Sequence, residues 1–104
     1  MKSTVKNTFK ADVLESKKII LLDVWAPWCA PCRSMGPVLE ALQDEIEDWA
    51  EIIKLDASIE MDQVNELGVS GLPTFLVYKN GQIVDSIVGA TSKANLLDLL
   101  VKAK

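Results

Sequence analysis

The chain has 104 residues, 49% of them hydrophobic and 25% charged, with 2 cysteines and no histidine. That length suits one domain spanning residues 1–104, with a core large enough to fold without disulfide staples. The balance of 11 Lys and Arg against 15 Asp and Glu gives −4 with no basic block, which excludes nucleic-acid binding because phosphate contacts need clustered cations.

The first residues, MKSTVKNTFKADVL, carry lysines with no apolar stretch behind them, so no secretory signal is read and the expected compartment is the cytoplasm. A short edge strand is expected around Ser3–Val5. Asn7 or Thr8 can cap a helix reaching Ser16, with Phe9, Val13 and Leu14 facing inward. Ile19–Trp25 is a dense, β-branched apolar run that suits a strand buried on both faces. Its longest uninterrupted apolar piece, Ile19–Leu22, is far short of the roughly 20 residues of a membrane span. Asp23 interrupts the run, and composition alone does not explain a carboxylate there.

Beyond Pro27 the period becomes helical. Met35, Val38, Leu39, Leu42, Ile46 and Trp49 recur at spacings of three and four, the stripe of a long amphipathic helix. Pro31 falls in its first turn, where a missing N–H is harmless, and Pro37 should kink it. Glu51–Asp56 reads as a strand. Glu60–Leu67 reads as a short helix with Met61, Val64 and Leu67 inward, ended by Gly68. Thr74–Tyr78 and Gln82–Val88 are strands joined by Asn80-Gly81, a strong hairpin signal. Ser92 caps a last helix with Leu96, Leu97, Leu100 and Val101 inward. This order predicts an α/β fold, a central mixed sheet with helices on both faces.

Cys29 and Cys32 form Cys-Ala-Pro-Cys where a buried strand passes into a helix. Residues i and i+3 at a helix start are close enough for a disulfide, and the helix N-terminus favours a thiolate on the first cysteine. As a structural staple the pair is poor, because closing so short a loop contributes at most roughly 2 kcal/mol. The absence of histidine excludes Ser-His and Cys-His hydrolysis. Two cysteines also supply only half the ligands of a zinc site, so no metal is expected. A CxxC pair in this strand–helix context reads as redox chemistry.

Trp25-Ala-Pro-Trp28-Cys29-Ala-Pro-Cys32-Arg33, with Asp23 upstream and Gly71-Leu72-Pro73-Thr74 downstream, resembles the thioredoxin family from about Phe9 to the C-terminus. The resemblance implies the thioredoxin fold and a protein-disulfide reductant needing no bound cofactor. It implies Cys29 as nucleophile, Cys32 as resolving thiol, and Asp23 as a buried carboxylate taking the proton of Cys32, with Lys54 near it. It makes Pro73 a cis-proline facing the cysteines, with the Leu72 backbone pairing to substrate. Trp28, Gly71, Leu72, Gly89 and Ala90 would form an apolar apron around Cys29. Its partners would be disulfide-containing proteins and a thioredoxin reductase, with the protein itself a monomer.

Ala30-Pro31 stands where the family usually has Gly-Pro, a change expected to tune the redox couple. The segment Ala57–Met61 lacks the acidic and proline residues usual at that point. Read alone, Lys54 is a solvated strand-end lysine, while Trp25 and Trp49 are packing residues. Two rival functions remain: an oxidase or isomerase of the same fold, against which the absence of histidine between the cysteines argues, and a binding subunit without turnover.

Overall fold

A computed structural model describes residues 1–104. The apolar run in the first third of the chain becomes the middle of the sheet. Strand β2 (Ile19–Trp25) lies between β3 (Ala50–Asp56) and β4 (Thr74–Lys79), while β1 (Lys2–Thr4) and β5 (Gln82–Val88) are the edges. The order is β1-β3-β2-β4-β5, with β1, β3 and β2 parallel, β4 antiparallel to β2, and β5 antiparallel to β4. Helices α1 (Ala30–Ser34), α2 (Gly36–Ile46), α3 (Met61–Glu66) and α4 (Lys93–Ala103) complete the mixed α/β architecture of the thioredoxin fold.

Alternate side chains of β2 feed two cores, as the period of a strand requires. Ile19 and Leu21 pack with Leu39, Leu42 and Ile46 of α2 and with Leu96 and Leu100 of α4. Ile20, Leu22 and Val24 pack on the other face with Phe9, Val13 and Val64. The strand is buried on both sides, which explains its near-continuous apolar sequence. Asp23, an odd-numbered position, belongs to the face of Ile19 and Leu21.

Several local expectations are corrected. The long helix is two, because Pro37 has no N–H for the Arg33 carbonyl and its ring crowds that carbonyl. The ladder changes register at Met35, whose N–H donates to Cys32 O at 3.2 Å while its own carbonyl accepts from Leu39. The N-terminal helix is a single π-helical turn over Lys10–Leu14, closed by Glu15 N–H to Lys10 O at 2.9 Å. Thr8 does not cap it; its hydroxyl turns back and accepts from Val5 N–H. Leu14, Met61 and Val101, expected inward, are exposed. On α4 the inward residues are Leu96, Leu97 and Leu100 as expected, joined by Leu99 and Ala103 in place of Val101.

Two turns follow from residue chemistry. After α3, Gly68 takes φ +78° and the chain closes with Gly68 N–H to Asn65 O and Val69 N–H to Val64 O, the paired bonds of a Schellman motif. Asn80 (φ +53°) and Gly81 (φ +78°) make the two-residue hairpin between Lys79 and Gln82.

Candidate active site around Cys29 and Cys32

The end of β2 carries the chain into Ala26 and then to Cys29, whose N–H donates to Ala26 O at 3.1 Å. Cys29 is the N-cap of α1, with φ −93° and ψ 106°, and its Sγ accepts the backbone N–H of Cys32 at 3.2 Å. Pro31 occupies the first turn, where it removes no helical bond. The two cysteines are joined as a disulfide, with Cα atoms 5.2 Å apart. Both are buried in a small cluster with Ala26, against which Trp25 and Leu72 pack. Arg33 steadies the approach to the helix by donating from Nη1 to Pro27 O at 2.8 Å.

The two sulfurs differ in surroundings. A groove of about 660 Å³ opens beside the disulfide, and Cys29 lines it whereas Cys32 does not. Its near wall is Trp28, Cys29, Ala30 and Pro31, with Trp28 67% exposed at the lip. Leu72 lies on the same groove, and neither its N–H nor its carbonyl makes a hydrogen bond within the chain. The far side comes from Ala57, α3 and the Val69-Ser70 segment. None of these was read as part of the site from the sequence. The only signal was apolar spacing at Met61 and Val64, which reads equally as core.

The Leu72–Pro73 peptide is cis, as expected. Gly71, Pro73, Gly89 and Ala90 do not line the groove. They form a neighbouring patch, tied together by Gly89 N–H to Pro73 O at 2.8 Å and by Thr74 Oγ1 to Gly71 O at 2.6 Å. A Cβ at position 71 would meet Val88 Cγ1 at 3.4 Å, an ordinary van der Waals contact with β5.

Asp23 is 2% exposed, and its Oδ1 has no hydrogen-bond partner. Burial pushes its pKa up to about 6, against which the Lys54 ammonium pulls it down. The β2–β3 register places Asp23 directly opposite Lys54. Lys54 is not ion-paired to it, however. Its Nζ lies over the Trp25 ring, 4.2 Å from the centroid. Trp25 thus packs beside the disulfide and also holds the lysine, while its own Nε1 is buried without a partner. No three His, Cys, Asp or Glu side chains gather closely enough to hold a metal ion. No helix is long and apolar enough to cross a membrane.

A pair of adjacent cysteines beside an open groove is equipped for thiol–disulfide exchange, with the second sulfur always within reach of the first. The family model for thioredoxin matches residues 1–102. The chain is 43% identical over 97 residues to a thioredoxin of Streptomyces clavuligerus, covering 93% of this chain and 90% of that protein. It is 38% identical over 95 residues to thioredoxin 1 of Synechococcus elongatus, covering 91% and 89%. It is also 38% identical over 96 residues to the chloroplastic M-type thioredoxin of Chlamydomonas reinhardtii, covering 92% and 69%. The chain belongs to the thioredoxin family and is a protein-disulfide reductant, cycling Cys29 and Cys32 between dithiol and disulfide.

Proposed function

We propose that Cys29 is the attacking thiol and Cys32 the resolving one. The Cys29 thiolate attacks one sulfur of a substrate disulfide, forming a mixed disulfide and releasing the other substrate sulfur as a thiolate. Cys32 then loses its proton to the Asp23 carboxylate and attacks Cys29 Sγ. The second substrate sulfur leaves, and the Cys29–Cys32 disulfide forms. The substrate gains two electrons and the protein loses two.

One observation carries this assignment: Cys29 Sγ accepts a backbone N–H at a helix start and lines the open groove. An N–H directed at sulfur favours its anionic form. For Asp23, a pKa of about 6 places the carboxyl nearer to a thiol than an ordinary carboxylate, which eases proton exchange between them. Lys54, held over Trp25, keeps the carboxylate's cost of ionisation from rising further. Ala30 and Pro31 tune the couple through the geometry of the first helical turn. Trp28, Leu72 and the patch of Gly71, Pro73, Gly89 and Ala90 receive the substrate, whose main chain pairs with the unbonded Leu72 backbone.

In this reading residues 1–104 act as one domain and as a monomer in the cytoplasm. Their substrates are disulfide-containing proteins, and a thioredoxin reductase restores the dithiol. A catalytic amount of the protein should accelerate reduction of a protein disulfide by a dithiol such as dithiothreitol, through many turnovers. Stoichiometric binding without acceleration would favour a binding subunit instead.

A further inference from the structure

We propose that Met61 is a modification site: its oxidation to the sulfoxide by hydrogen peroxide slows reduction of protein disulfides while leaving the cysteine pair intact. This rests on Cys29 being the attacking thiol, because the effect falls on whatever approaches that sulfur.

The sulfur atoms of the chain are unequally placed, and Met61 stands apart. The sequence holds 2 cysteines and 3 methionines. In the disulfide form the cysteines are joined to each other, and each is only 6% exposed. Met35 is sealed in the core with Leu39 and Leu42, 3% exposed. Met1 is exposed at the chain terminus and lines no part of the groove. Met61 is 50% exposed and lies on the same groove as Cys29. Once the dithiol has been oxidised, it is the exposed oxidisable sulfur of the site.

The thioether takes one oxygen from hydrogen peroxide. The O–O bond breaks, the sulfur gives up two electrons, and water leaves. A flexible apolar side chain becomes a polar, chiral one. No charged side chain lines the groove, and only Asn65 and Ser70 on it are polar. Apolar substrate surface that settles there must strip water from the sulfoxide oxygen without offering it a partner. Met61 opens α3 and belongs to neither large core cluster, so the added oxygen leaves the fold alone.

The two oxidations also differ in what reverses them. A disulfide returns to the dithiol by thiol exchange, whereas a sulfoxide needs a methionine sulfoxide reductase. Excess peroxide finds the chain as the disulfide, and Met61 takes the next equivalent. After re-reduction the thiols are restored, but the groove beside them is still altered.

In the test, the disulfide form is treated with hydrogen peroxide, reduced with dithiothreitol and desalted. Peptide mapping should place oxygen on Met61 and Met1 well before Met35. Single-turnover reduction of insulin should then fall by about tenfold, the scale on which one group in an apolar site changes a rate. Reduction of 2-hydroxyethyl disulfide, which has no side chain to set in the groove, should not change. Each protein is compared with its own untreated sample. Met61→Leu should lose nothing on treatment, and methionine sulfoxide reductases acting on both epimers should restore the wild-type rate. Met1 is oxidised in both proteins, so its contribution cancels. Met61 spared while Met1 is oxidised, undiminished insulin reduction, or an equal loss in Met61→Leu would each overturn the proposal and leave Cys29 as nucleophile. An equal loss on both disulfides would also overturn it, by placing the damage at the cysteine pair. Untreated protein that reduces neither disulfide would overturn the assignment of Cys29, and the proposal with it.

Discussion

The backbone N–H of Cys32 points at Sγ of Cys29 across 3.2 Å, and no donor reaches the sulfur of Cys32. Two cysteines of equal burial are thereby made unequal, because only one is offered a hydrogen bond that strengthens as its sulfur becomes an anion. In the reduced protein, Cys29 should be alkylated by iodoacetamide faster than Cys32 at neutral pH, as read by peptide mapping at short times. Equal rates, or faster modification of Cys32, would remove the basis for their separate roles.

Asp23 should make the protein's stability depend on pH. Its carboxyl titrates near 3.8 when unfolded and at about 6 when folded, so between those values the folded state holds the extra proton. Stability therefore falls as pH rises through that window, and the full penalty applies above about pH 6. Removing the carboxylate with Asp23→Ala should stabilise the protein at pH 7, by up to about 3 kcal/mol less the cost of the small cavity. The gain at pH 4 should be smaller. Denaturant melts of both proteins at the two pH values measure this. A variant that gains no more at pH 7 than at pH 4 would mean that ionising Asp23 carries no such penalty, since the cavity cost is common to both pH values. The same variant should release substrate from the mixed disulfide more slowly, since the proton acceptor is gone.

Gly68 and Gly81 share φ +78° but not their surroundings, so together they separate backbone strain from steric clash. A Cβ at Gly68 meets nothing within 4 Å, whereas one at Gly81 would lie 2.7 Å from the Leu14 carbonyl oxygen. Gly68→Ala should cost about 1 kcal/mol, the strain of a left-handed residue. Gly81→Ala should cost clearly more, because the hairpin must also part from the N-terminal π turn. Equal losses in urea melts would contradict the close packing of Gly81 on Leu14.

Ser92 caps α4 through its side-chain oxygen, which accepts Asn95 N–H at 3.1 Å. Ser92→Ala should lower stability by about 1 kcal/mol without changing the rate of disulfide reduction. Amide exchange should quicken first in the opening turn of α4.

What could be read from the sequence follows from how local each signal is. Ile19–Trp25 announces a buried strand by composition, and Asn80-Gly81 announces its turn because few other residues take positive φ twice in succession. The CxxC pair and Asp23 stand out because each breaks a pattern nearby. On α4 the run Leu96-Leu97-Asp98-Leu99-Leu100-Val101 fits two helical phases equally well, and only packing against β4 and β5 chooses Leu99 over Val101. The groove was hidden for a different reason. Ala57, Met61, Val64 and Val69 lie some distance along the chain from Cys29, and the parallel pairing of β2 with β3 brings them beside it. Pairing of that kind leaves no periodic trace in either segment.

The division of labour between the two cysteines is the centre of the account, and trapping tests it most directly. Reduced Cys32→Ser and Cys29→Ser proteins would each be mixed with a disulfide-containing protein and the products weighed by mass spectrometry without added thiol. Cys32→Ser should accumulate a one-to-one covalent adduct through Cys29, stable until a dithiol is added, because attack proceeds and resolution is blocked. Cys29→Ser should form none. An adduct through Cys32 that forms as readily as the one through Cys29 would contradict the assignment of the attacking thiol.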